Sequence, residues 1–172
     1  RYGYKKSFED IFMQKIGTPF GMSSMVADRY WVDNEMQSQS FNLSGNPVSS
    51  RNGKSDISYK LCGGGWSSTA RDMAKYAKWV MTSSSTFTNA DRNKIWQRIA
   101  TVEPDGSSAS YGLGWKSPDG GAPWHNGKQP GAKTLLKLYL NNTSTKSDDA
   151  AIVIMYNTEG TDNDYLYDLR DE

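Results

Sequence analysis

Trp124-His125-Asn126-Gly127-Lys128-Gln129-Pro130-Gly131-Ala132, running on into Lys133-Thr134-Leu135-Leu136-Lys137-Leu138-Tyr139-Leu140, is the stretch that decides the fold. Gln129-Pro130-Gly131-Ala132 has the composition of a turn and joins two extended segments, so the whole reads as an antiparallel hairpin. On its second arm, Leu135, Lys137 and Tyr139 fall on one side, with Leu136, Leu138 and Leu140 on the other. That period of two is a strand's. A continuous apolar run from Ala151 to Tyr156 follows and suits a central strand. Tyr111-Gly112-Leu113-Gly114-Trp115 reads as a further short strand, broken by glycines.

Upstream of the hairpin the period changes to that of helices. Ser7 to Ile16 opens with a capping box, Ser7 with Asp10. It places Phe8, Ile11, Phe12 and Ile16 on one face and stops at Gly17. Thr18-Pro19-Phe20-Gly21-Met22 is a turn, because Pro19 cannot continue a helix. A second helix is capped by Ser67, Ser68 or Thr69, and Ala70, Met73, Ala74, Ala77, Val80 and Met81 recur along it at helical spacing. A third starts at Thr88, with Asp91 completing its capping box, and runs to about Ala100 with Ile95, Trp96 and Ile99 as its buried stripe. Asp162 to Arg170 has the pattern of a final helix. Between residues 33 and 60 the chain is polar, and Ser44-Gly45-Asn46-Pro47 and Arg51-Asn52-Gly53-Lys54 read as turns between short strands or loops. Helices come first and antiparallel strands follow, so the class is α+β.

The 172 residues suit one domain or a large piece of one. Lys and Arg number 20 against 19 Asp and Glu, a formal charge of +1. This removes the electrostatic case for a nucleic-acid partner or an anionic membrane surface. The longest aliphatic run, Ala150 to Met155, is far short of the ~20 residues of a membrane-spanning helix, and no membrane span is expected. Six Trp and ten Tyr argue against disorder despite a mean hydropathy of -0.73. One cysteine, Cys62, excludes an internal disulfide framework and a cysteine-based metal site; one histidine, His125, excludes any site needing two imidazoles. No metal or cofactor is expected. Cys62 is read as a small buried hydrophobe, since no second histidine exists to activate it. Asn42-Leu43-Ser44, Asn141-Asn142-Thr143 and Asn142-Thr143-Ser144 match the N-glycosylation tripeptide. Arg1-Tyr2-Gly3-Tyr4-Lys5-Lys6 has no apolar segment behind it of the kind a signal peptide needs. That fits a cytosolic protein, a mature secreted one, or a piece of something longer.

Chemistry points to the first arm of the hairpin. Histidine is the side chain best suited to moving a proton near neutral pH. Gly127 lets a backbone or ligand approach closely, because no Cβ stands in the way. From the residues alone, a surface-strand histidine in a turn-rich region is the favoured reading.

Several segments together carry a resemblance. Cys62-Gly63-Gly64-Gly65-Trp66-Ser67-Ser68-Thr69-Ala70-Arg71-Asp72-Met73-Ala74-Lys75-Tyr76 resembles the Gly-Gly-hydrophobic-x-Ser-Thr-Ala-x-Asp-Leu-Ala-x-aromatic stretch of serine β-lactamase-related proteins: class C β-lactamases, D-Ala-D-Ala carboxypeptidases and related esterases. Tyr111 to Trp115 resembles their Tyr-Gly-Leu-Gly-Trp strand. His125-Asn126-Gly127 with Pro130-Gly131 resembles their third motif, His/Lys-Thr-Gly, and its Pro-Gly turn. Phe8 to Met22 resembles the helix and turn after their second motif, and Ile152 to Asn157 a late core strand ending in Asn. The segments stand in the family's order and cover nearly the whole chain.

The resemblance implies the C-terminal part of a β-lactamase or penicillin-binding-protein-like fold, an antiparallel sheet flanked by helices, over residues 1–172 as an incomplete domain. It also exposes what the 172 residues lack. The family nucleophile lies in Ser-x-x-Lys, and no such tetrapeptide occurs; Ser68-Thr69-Ala70-Arg71 is the nearest miss, and an arginine stays protonated and cannot act as a base. Tyr-x-Asn, the second motif, has no counterpart before Ser7. Tyr139-Leu140-Asn141 fits it only as a string, after the third motif. The chain alone is therefore expected to be inactive, and a companion segment or chain is expected to complete the fold. On the family's plan the Lys128 N–H is an oxyanion-hole donor. His125 replaces the usual Lys and either assists proton transfer or binds a substrate carboxylate. Asn126, Gly127 and Gln129 face a small peptide, amide or ester substrate, and Gly63 to Gly65 let the loop before the second helix pass near the cleft. Asn126 stands where the family has Thr or Ser, a departure from antibiotic hydrolysis.

Two functions follow from different classes. One is a part of a serine hydrolase; the other is an inactive relative kept as a structural subunit of a larger assembly. A glycan-binding module, resting on aromatic richness alone, is a third. The resemblance favours the secreted or cell-envelope compartment, with mitochondrial and cytosolic relatives in the same group.

Overall fold

The computed structural model describes residues 6–27, 38–48, 58–83, 87–97, 111–116, 122–129, 131–140 and 149–158. The turn at Arg51–Lys54, the helix at Asp162–Arg170, Pro130, Ile99 and the tripeptides starting at Asn141 and Asn142 lie outside them.

The hairpin forms as the alternation dictates. Strands β5 (Trp124–Gln129) and β6 (Ala132–Tyr139) pair antiparallel, with His125 opposite Leu136 and Gly127 opposite Thr134. β7 (Ala150–Tyr156) pairs antiparallel with β6, with Leu136 opposite Val153. The order is β5-β6-β7. Among the described strands β6 is the central one and the apolar run of β7 lies beside it. Leu135, Leu136 and Leu138 of β6 are almost wholly buried, while Ile152 and Tyr156 of β7 keep over a third of their surface exposed.

Helix α2 (Ala70–Thr82) lies on this sheet. Thr69 is its N-cap, its hydroxyl accepting the Asp72 N–H at 3.2 Å. Ala77, Val80 and Met81 form a core with Trp115, Leu136 and Leu138. The small Ala77, fully buried, lets the helix approach the strands closely. Helix α3 (Asn89–Trp96) begins with the Thr88–Asp91 capping box, and Ile95 and Trp96 pack on the same core. Its arginine, Arg92, is 3% exposed.

Helix α1 starts with the expected Ser7–Asp10 box but is α-helical only over Phe8–Phe12. From Met13 to Gly17 it widens into a π-type turn, closed by the Thr18 N–H on the Met13 carbonyl at 2.8 Å. An α-helix here would need a donor at Pro19, which has none. Phe12 stacks on Trp66 at 4.5 Å, whereas Phe8, expected on the buried face, is exposed.

Short pairs complete the described structure. β1 (Val26–Ala27) pairs with β4 (Trp66–Ser67). β2 (Ser40–Phe41) pairs with β3 (Pro47–Val48). The turn between the last two is held by Asn42, whose Oδ1 accepts the N–H groups of Ser44 and Asn46 at 3.0 and 2.9 Å. β2 is tied to the end of β7: Phe41 N–H donates to the Asn157 carbonyl at 2.9 Å and the Asn157 amide to the Gln39 carbonyl at 2.9 Å. Tyr111 to Trp115 is a glycine turn closed by one bridge, Tyr111 with Lys116, and not the strand expected. Cys62 sits on the 3-10 turn Ser58–Gly63 and is exposed, which corrects the buried reading. Trp66 takes that turn's hydrogen bond, its indole donating to the Leu61 carbonyl at 2.7 Å.

Candidate functional site

Strand β5 carries all five candidate residues, and its register sorts them. Leu138 N–H donates to the Pro123 carbonyl at 2.8 Å. In an antiparallel ladder the bonded pairs alternate, so His125, Gly127 and Gln129 turn their backbone groups toward β6. Trp124, Asn126 and Lys128 turn theirs to the outer edge. Trp124 demonstrates this, exchanging two backbone bonds with Lys116 at 2.8 and 2.9 Å. The Lys128 N–H therefore points along the same edge. Side chains alternate likewise: His125, Gly127 and Gln129 share the sheet face of Leu136, which packs in the α2 core. Asn126 and Lys128 lie on the opposite face with Trp124.

His125 is half-buried. Its Nε2 is 3.0 Å from the Tyr111 hydroxyl, and the two rings meet edge-on at 5.8 Å. Burial pushes the imidazole below its ordinary pKa, a backbone hydrogen bond at Asn126 opposes this, and the Lys116 charge adds to the lowering. The surroundings thus favour the neutral ring over the charged one. The Lys116 ammonium lies 4.5 Å from the Trp124 ring centroid and 5.6 Å from that of Tyr111, within cation–π range.

Gln129 does not project into open space. Its amide donates to the Gly64 carbonyl at 2.7 Å, so the glycine loop before α2 does pass beside this strand. Gly64 has φ +114, a conformation that side chains other than hydrogen rarely adopt. Gly127 leaves little room for a side chain: a Cβ there would stand 2.7 Å from Thr134 Oγ1 and 4.0 Å from Thr134 Cβ. Gly127→Ala is expected to destabilise the protein by about 1 kcal/mol, and Thr134→Ala in the same chain to recover most of it; urea unfolding of the two variants checks this.

Tyr111 and Lys116 are site neighbours that the sequence did not single out as such. Their spacing to His125 carries no signal, since the closing of their turn onto β5 creates the contact. Tyr139 ends β6, two residues beyond the partner of Trp124, with the Lys137 ammonium 5.0 Å from its ring centroid.

The sequence model of the beta-lactamase family matches residues 3–172. No curated protein matches the chain. Among solved structures, a D-stereospecific amidohydrolase from Streptomyces sp. superposes with a TM-score of 0.62 at 13% identity, over 89% of this chain and 44% of that one. This chain thus spans less than half the length of that protein, and the two share the fold.

Proposed function

This chain belongs to the beta-lactamase family, and from that premise we propose that it forms one wall of a serine hydrolase site acting on an amide, peptide or ester bond. The observation that carries the reading is the outward edge of β5. The Lys128 N–H turns to that edge, where this reading puts the oxyanion donor, on the strand of His125 and next to a loop that Gln129 bonds. One such donor contributes ~2.7–4 kcal/mol of transition-state stabilisation. His125 serves proton transfer, and Asn126, Gly127 and Gln129 border the substrate. The attacking serine and its lysine come from a companion segment, since no Ser-x-x-Lys occurs in the 172 residues. Among the candidate bonds the amide comes first, because the solved relative is named for amide hydrolysis.

The same absence favours a second reading, an inactive relative retained as a structural subunit. Treating the natural full-length polypeptide, or the assembly that holds this chain, with a fluorophosphonate and with a fluorescent penicillin separates them. The hydrolase reading expects a covalent label on a serine of the companion segment. No label, together with a companion segment lacking Ser-x-x-Lys, overturns it in favour of the subunit.

A further inference from the structure

We propose that the outer edge of β7 is a docking site for a strand of the companion segment, which pairs with Ala151–Met155 and makes β7 an interior strand. The proposal rests on the part of the reading above that supplies such a segment, and it names where that segment attaches.

The register fixes which backbone groups face outward. On β6, Leu138 and every second residue before it turn to β5, so the residues between them turn to β7. Their partners there are Ala150, Ile152, Ile154 and Tyr156. Ala151, Val153, Met155 and Asn157 therefore direct their N–H and C=O groups away from the sheet. Asn157 demonstrates this, its carbonyl accepting the Phe41 N–H at 2.9 Å on that side. Among the described residues, none bonds the outward groups of Ala151, Val153 or Met155.

The composition of β7 is not that of an edge. Natural edge strands are blunted by charges, proline, bulges or shortness. Ala150–Tyr156 has no charge and no proline, and all 7 residues pair with β6 in unbroken register. Yet none of them is buried, whereas Leu135, Leu136 and Leu138 beside them are. Ile152 and Tyr156 share the face opposite the α2 core and keep 36% and 37% of their surface exposed. An apolar strand with half of its ladder unused is a template for strand addition.

The other edge of the sheet is a poorer template. β5 gives its outward groups at Trp124 to Lys116, and it carries His125, Asn126, Lys128 and Gln129. The occupant of the β7 edge comes from the rest of the fold. The 172 residues superpose on 44% of the solved relative, so more than half of that fold has no counterpart here. The Phe41 bond closes the edge at Asn157. An incoming strand thus ends by Met155, with room for about five residues, an ordinary strand length.

The test uses the natural full-length polypeptide, or the assembly that holds this chain. Hydrogen exchange is read at the Val153 and Met155 amides, which face outward. Both are expected to exchange about a hundredfold more slowly than in the unfolded chain, as amides in a stable ladder do. In a second measurement a photoreactive benzophenone amino acid takes the place of Ile152, and the adduct is mapped by mass spectrometry. It is expected on an apolar stretch of the companion segment. Unprotected amides at both positions overturn the proposal. An adduct on β7 of a second copy also overturns it and makes the edge a dimer contact, as does an adduct confined to the same 172 residues. The hydrolase reading stands or falls separately. A fluorophosphonate label with unprotected amides removes the docking edge alone. Protected amides and the expected adduct without a label uphold the edge and favour the subunit reading.

Discussion

Arg92→Leu lowers the stability of the protein by about 3 kcal/mol, the expected result of removing three hydrogen bonds from a charged donor in a buried place. Arg92 Nε donates to the Val80 carbonyl at 2.8 Å, Nη1 to Asn89 Oδ1 at 3.0 Å and Nη2 to the Ser83 carbonyl. Two of these acceptors belong to the C-terminal end of α2, where a helix runs out of its own N–H donors and carries partial negative charge. The guanidinium of α3 therefore finishes α2 from outside and locks the two helices together. Leucine matches its volume roughly and satisfies none of the three acceptors. In a protein of this size the loss corresponds to a fall in Tm of roughly 6–12 °C. Arg92→Lys recovers only a small part, because an ammonium cannot reach three acceptors lying in different directions. Thermal unfolding of both variants checks this, and a loss under about 1 kcal/mol for Arg92→Leu would contradict it.

Asp72→Ala has the second largest effect, about 2–3 kcal/mol. Asp72 is 1% exposed and accepts the Ser24 N–H at 2.6 Å and the Lys75 ammonium at 2.9 Å, while Lys75 also donates to the Gly21 carbonyl. One carboxylate thereby holds the turn after α1 against the first turn of α2. Burial alone would raise its pKa, but the bonds from Lys75 and Ser24, with the charges of Lys75 and Arg71, outweigh it and hold the group below the ordinary 3.8. For a carboxyl lowered on folding, the stabilisation is complete above the unfolded value and is lost as pH falls through the lower folded value. The stability gap between the natural protein and Asp72→Asn is accordingly expected to stay constant from pH 7 down to about 5 and to shrink below 4. Denaturant titrations across that range measure it, and a gap independent of pH would show that the charge contributes nothing.

Much of this was written in the chain. The hairpin at Gln129–Ala132, the α2 stripe and both capping boxes were legible because each depends on residues within a few positions of one another. The five candidate residues were legible as a group because one strand carries them. What local pattern did not carry is what distant segments decide. The widening at Met13–Gly17 reflects a proline two residues beyond it. The place of β7 beside β6 depends on strand pairing that its own residues do not record, since α2 lies against both strands. The Tyr111–His125 contact depends on a glycine turn closing through Lys116 onto Trp124. An apolar run or a tyrosine looks the same in sequence whichever neighbour it meets.

The exposed position of Cys62 has a practical consequence. It is the one thiol among the 172 residues, and it stands two residues from the glycine whose carbonyl Gln129 grips. A maleimide dye attached there would ride on the segment bordering β5, giving a native optical reporter for that segment's departure without engineering a new handle.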